Sequence, residues 1–291
     1  MGLLIVASTP AWGQKASSKP DPSLDPMAAP TSSPLIMDQN TYVMGNVFFF
    51  IYHELGHALV ELGELPMLGR HEDAVDAFAM VELITQLNDP ETDPEARERL
   101  VSYAYASIDQ WLKSAVEFGD PTADTYFGVH SLDRQRFFRT ACLAFGGSSD
   151  DFAGIEDAFD LNTLFLEDCR ERYFEASDGW TYTLNNFGIL ESGRGSARDD
   201  ITFEFLPAER EQHARWQSVA SNWIDLDRVQ QSFSRSFRLS RPVHITFESC
   251  GEENAFYYPH NNSVSICYEL MAATARYHAQ STRALLNRGV F

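Results

Sequence analysis

The stretch NVFFFIYHELGHALVEL (residues 46–62), continued across GELPMLGR (63–70) by HEDAVDAFAMVELITQL (71–87), sets the architecture. The first run is apolar almost all round, which marks a helix buried on every side, and Gly63 stands where a helix closes. In the second, Ala74, Phe78, Val81 and Leu83 recur at helical spacing until Asn88-Asp89-Pro90 ends the element. Two helices joined by so short a connection pack side by side and antiparallel. Within the first, His53-Glu54-Leu55-Gly56-His57 reads HExxH. Residues at i and i+4 share a helix face about 6 Å apart, so both imidazoles can reach one Zn²⁺ while Glu54 lies beside a water on it. Two imidazoles and a carboxylate inside an apolar helix also need something to satisfy them.

A catalytic zinc takes three protein groups and keeps one position for water. The metzincin pattern requires a glycine at position 60 and a histidine at 63; the chain has Val60 and Gly63, which excludes it. Instead, His71-Glu72-Asp73-Ala74-Val75-Asp76 stands at the start of the second helix. Glu72 and Asp76 lie one turn apart, so Glu72 can complete the ligand set while Asp76 accepts the second ring N–H of a ligand histidine and fixes its tautomer.

Outward from this pair, helices are expected over about 93–117, 131–145, 149–159 and 161–176. ITFEFLP (201–207) alternates like a strand, 208–237 reads as one amphipathic helix, and VHITFESC (243–250) alternates again. NAFYYPHNNSVSICYEL carries two strand-like runs around Pro259-His260-Asn261-Asn262, a hairpin signal, before a last helix over Tyr268–Leu286. The fold class is α+β, predominantly helical, with a small C-terminal β region.

The chain has 291 residues, 44% hydrophobic and 13% aromatic, enough for a substantial core. With 22 Lys and Arg against 42 Asp and Glu, its formal charge of −20 repels phosphate backbones and argues against a nucleic-acid partner. No apolar run of about 18 residues exists to span a membrane in the mature chain. MGLLIVASTPAWGQ (1–14) reads as a signal peptide ending on Ala11-Trp12-Gly13, residues 15–37 as a Pro/Ser-rich linker, and 38–291 as the folded domain. This places the protein in the periplasm or outside the cell. Cys142, Cys169, Cys250 and Cys267 show no CxxC spacing, which argues against a zinc ribbon or thioredoxin-type centre. Three pairings are open to them; for an exported chain the first choice is Cys142 with Cys169 and Cys250 with Cys267. No GxSxG supports a serine nucleophile.

HELGH with an E-x-x-x-D helix after it is similar to the gluzincin metallopeptidases. That resemblance implies a zincin-like active-site helix pair, Zn²⁺ held by His53, His57 and Glu72, and Asp76 as partner of the first motif histidine. More closely, the stretch from Asn46 to Ala79, the LAFGG segment beside Cys142 and CGEENAFYYPHNNSVSICYEL resemble a bacterial family known only as a metallopeptidase-like domain of unknown function, over about residues 40–287. His71 departs from the acidic residue expected there, so it either competes as a ligand or tunes the site. By analogy with zincins, NAFYYP resembles the edge strand that lines a substrate cleft, although in most zincins that segment precedes the HExxH helix.

The expected activity is peptide-bond hydrolysis by a metal-activated water, with Glu54 as general base. Tyr257, Tyr258, Tyr268, His244 and His260 are the candidate donors to the oxyanion. The expected partner is a peptide or protein substrate. The alternative is a non-catalytic zincin-fold protein that holds a peptide or cell-wall component; retention of Glu54 argues against it.

Overall fold

The computed structural model describes residues 35–67, 69–119, 121–190 and 200–287, all within the unit Ser32–Phe291. The expected signal peptide (1–14) and nearly all of the linker (15–37) lie outside the described residues. The chain is α+β and mostly helical. Its first helix, α1 (Gln39–Leu62), starts seven residues before the expected Asn46, because the Asp38 carboxylate accepts from the Asn40 and Thr41 amides and caps it. Gly45 lies inside this added length. A Cβ there would stand 2.7 Å from the Tyr103 Cα, so the glycine permits close helix contact at a position where it would otherwise weaken a helix.

The second helix, α2 (His71–Asn88), and the third, α3 (Pro94–Phe118), both pack on α1. Next come α4 (Ala123–Phe127), α5 (Asp133–Gly147), α6 (Ile155–Phe159), α7 (Thr163–Leu166) and α8 (Cys169–Asn186). The helix expected over 149–159 is reduced to α6. Ahead of it Asp151 accepts from Arg97 and Ser148, and a turn drops Phe152 into the core. The helix expected over 161–176 is two, α7 and α8, and the second runs ten residues further.

The sheet is formed by β1 (Ile201–Phe205), β2 (Val243–Glu248), β3 (Ala255–Tyr258) and β4 (Ser263–Cys267), in the order β1-β2-β4-β3. The pairs β1–β2 and β2–β4 are parallel; β3 and β4 form the antiparallel hairpin, with Tyr257 opposite Val264. Hence β3 is an edge strand, and it rests against α1.

The single helix expected over 208–237 is broken into a 3-10 turn (Glu211–His213), α9 (Ala214–Ser221) and α10 (Leu226–Ser236). Two anchors break it. Trp223 turns inward and donates its indole N–H to the Tyr103 hydroxyl, while Asp225 accepts from Nε and Nη2 of Arg99 at 3.0 Å and from the Tyr103 hydroxyl at 2.7 Å. Similarly, the last helix is two, α11 (Tyr268–His278) and α12 (Thr282–Leu286). Ser281 caps α12, and Thr282 donates to the buried Asp109.

The core surrounds α1, which α2, α3, α11, β3 and β4 all touch. That enclosure explains its apolar circumference: Val43, Phe48, Ile51, Tyr52, Leu55 and Leu59 are fully buried, each worth roughly 1.5–3 kcal/mol of transfer free energy. Two disulfides close the structure. Cys142–Cys169 ties α5 to α8, and Cys250–Cys267 ties the turn after β2 to the end of β4.

Candidate metal centre

The site lies where α1 and α2 run past each other. His53 on α1 meets Asp76 on α2, and His57, one turn further along α1, meets His71 and Glu72, one turn earlier on α2, so the two helices are antiparallel. Gly56 faces this contact; a Cβ there would be 3.0 Å from Val75 and 3.2 Å from Phe78, so a side chain would push the helices apart.

Three donor atoms converge. His53 Nε2 and His57 Nε2 are 3.2 Å apart, and Glu72 Oε2 is 3.2 Å from the first and 3.4 Å from the second. These separations match the edge of a tetrahedron, about 3.3–3.4 Å, drawn by ligands roughly 2.0–2.1 Å from a zinc ion. Glu72 Oε2 is buried and no group meets it as a hydrogen bond. A buried carboxylate oxygen without a hydrogen bond is costly, and a cation among the three donors would satisfy it. Two imidazoles and one carboxylate are also donors that zinc accepts. The residues therefore fit a divalent metal.

Hydrogen bonds behind the rings orient these donors. His53 Nδ1 lies 2.8 Å from Asp76 Oδ1, so Asp76 accepts the Nδ1–H and leaves Nε2 with its lone pair toward the site. Asp76 is in turn held by Arg136 of α5 through two hydrogen bonds of 2.6 and 2.7 Å, and the guanidinium lies 3.5 Å from the centre of the Trp111 ring. On the other side His57 Nδ1 meets His71 Nε2 at 3.3 Å. His71 thus holds the far nitrogen of His57, as Asp76 holds that of His53, and does not reach into the triangle of donor atoms.

The electrostatics follow from this packing. Burial works against a charged Glu72, but the imidazoles of His130, His53 and His57 outweigh it and hold the carboxyl well below its ordinary range. Burial likewise opposes ionised Asp76, and Arg136 and His53 more than offset it. His53 is raised to about 9 in spite of its burial, because Asp76 and Glu72 favour positive charge on the ring. A field that favours a proton there also favours a metal cation. Glu54 is buried beside the triangle, and its desolvation pushes the carboxyl above its usual range, against the pull of His53 and His57.

These groups open into a cleft of about 790 Å³, lined on one side by His53, Glu54, His57 and Glu72 and on the other by Glu253–Tyr257 and Pro259 in and beside β3. Of the five candidate oxyanion donors, Tyr257 lines the cleft. Its hydroxyl donates to Asn262 Oδ1 at 2.8 Å, and burial with the nearby Glu61 charge raises the phenol, which keeps it a donor. The other four are elsewhere. Tyr268 is buried and donates to the Leu206 carbonyl, while Tyr258 and His260 sit together at the exposed end of the hairpin. His244 faces outward from β2 beside Thr202.

Two residues at the site were not singled out from the sequence, Arg136 and His130. Arg136 left one trace: a cation on the inward stripe shared with Thr140 and Leu143 of α5. His130 left none, since it arrives from the segment before α5 and is near the site only in space. Its Nε2 lies 3.1 Å from Glu72 Oε2, and His53, Glu72 and His130 offer three donor atoms within 4.8 Å of one another.

Residues 27–184 and 205–287 match the family model DUF4344, described as "Putative metallopeptidase", and the chain belongs to that family. Neither a curated protein nor a solved structure matches the chain.

Proposed function

We propose that the chain is a zinc-dependent metallopeptidase of the gluzincin plan within a zincin-like fold, exported to the periplasm or beyond, and that it hydrolyses peptide bonds in the cleft between α1 and β3. His53, His57 and Glu72 hold the metal, while Asp76 and His71 fix the two imidazoles. One observation carries this reading: three donor atoms at 3.2, 3.2 and 3.4 Å around a Glu72 oxygen that is buried and makes no hydrogen bond. Zinc bound there would supply Lewis acidity to the scissile carbonyl and bring a water toward neutral pKa.

The rest is the work of the chain's own groups. Glu54, with its carboxyl raised by burial, takes a proton from the attacking water and returns it to the leaving amine. Tyr257 turns its hydroxyl from Asn262 toward the developing oxyanion. The open edge of β3 offers backbone groups to an extended substrate. Two disulfides support export. Among the described residues no helix is long and apolar enough to cross a membrane.

The test is metal analysis of the purified protein, then a peptide-library digest with wild type and Glu54→Gln. Stoichiometric zinc with cleavage that disappears in Glu54→Gln is expected. Stoichiometric zinc with no Glu54-dependent cleavage would overturn the hydrolase in favour of a binding protein.

A further inference from the structure

Glu72 Oε2 is surrounded by three imidazoles. His53 and His57 come from the same buried helix face, whereas His130 comes from the chain between α4 and α5, with its side chain 52% exposed. That segment is attached to the start of α2. Arg70, the residue just before α2, donates through Nη1 to the carbonyls of His130 at 3.0 Å and Gly128 at 3.2 Å, and through Nη2 to that of Tyr126 at 3.5 Å. Arg70 precedes Glu72 by two residues, so one short stretch of chain supplies the carboxylate and also grips the backbone that presents His130. The 3.1 Å between His130 Nε2 and Glu72 Oε2 is again close to the edge of a zinc tetrahedron, and the two atoms do not meet as a hydrogen bond.

We infer that His130 is a fourth protein ligand, which closes the metal site in the resting protein and must withdraw before a substrate can reach the metal. This rests on the assignment of His53, His57 and Glu72 as the other ligands. Closed four-ligand sites are structural, whereas catalytic ones keep an open corner; the protein moves between the two by exchanging the one ligand it does not bury. His53 and His57 cannot leave, being fixed on α1 by Asp76 and His71. An exposed imidazole gives up one partner and gains hydrogen bonds to water, so the exchange is cheap. His130 is thus a built-in competitor of the substrate.

The test uses cobalt as a spectroscopic substitute in wild type, His130→Ala, Arg70→Gln and Glu72→Ala, with zinc affinity measured by competition against a chelating dye. His130→Ala should still bind one metal, but at least about tenfold more weakly, the scale on which lost supporting contacts already act. Its cobalt absorption should change from that of a four-coordinate protein site to that of a site open to solvent, and peptide turnover per bound zinc should rise. Arg70→Gln keeps the ligand but frees its backbone, and should shift the spectrum the same way to a lesser extent. A His130→Ala protein with the wild-type cobalt spectrum and zinc affinity overturns the inference, and the three-ligand reading survives provided Glu72→Ala loses the metal. Unchanged metal binding by Glu72→Ala overturns both.

Discussion

Asp76→Asn is the perturbation that best separates the metal centre from the fold around it. Asp76 accepts from His53 at 2.8 Å and from Arg136 at 2.6 and 2.7 Å, all of them buried. The amide keeps the shape but removes the charge, and one of its faces now presents N–H groups to donors. Removing one member of a buried ion pair costs about 3–5 kcal/mol. The lower end applies, because Arg136 keeps its stacking on Trp111 and one carbonyl oxygen remains to accept. About 3 kcal/mol corresponds to a fall of roughly 6–12 °C in Tm for a domain of this size. The loss of stability is full above the ordinary aspartate value of 3.8, because the native carboxyl is held below it, and narrows as pH falls through and below that value. With His53 no longer held in one tautomer, metal affinity should drop about 10- to 100-fold. The assay is thermal unfolding of the metal-free protein together with competition titration of zinc. Adding Arg136→Met to Asp76→Asn removes the stranded charge and should recover most of the stability, but none of the affinity. An Asp76→Asn protein that melts with wild type and binds zinc equally well would refute the orienting role of this carboxylate.

Glu82 lies in the core of α2 with its carboxyl pushed up by burial to about 8. The native state therefore holds a proton that the unfolded chain releases near 4.5, and stability falls as pH rises from about 4.5 to 8. Glu82→Gln should gain in Tm over wild type progressively across that window; a constant difference would show that Glu82 does not titrate there. Gly45→Ala puts a Cβ 2.7 Å from the Tyr103 Cα and should cost about 1–3 kcal/mol despite alanine's better helix propensity, read as a lowered urea midpoint. With Cys250 and Cys267 separated by 17 positions in sequence and Cys142 and Cys169 by 27, chain entropy assigns the bridges about 3 and 3.5 kcal/mol. Paired serine variants should therefore be destabilised to similar extents, and either pair unfolding with wild type would count against that account.

The sequence by itself determined what depends on spacing along one element. HExxH on an apolar helix puts two imidazoles on one face, and E-x-x-x-D one helix later puts two carboxylates on another. The hairpin around Pro259–Asn262 is as local as these, and so is the alternation of β1 and β2. The breaks at Trp223–Asp225 and at Ala279–Ser281 were hidden because distant partners impose them: Tyr103 and Arg99 in one case and Asp109 in the other. The same holds at the site. That His71 lies behind His57, that Arg136 sits beneath Asp76 and that His130 reaches Glu72 are facts about side chains 14, 60 and 58 residues from their partners. Only tertiary packing decided them, since periodicity fixes which face a residue occupies, whereas the packing of one element against another fixes what that face meets.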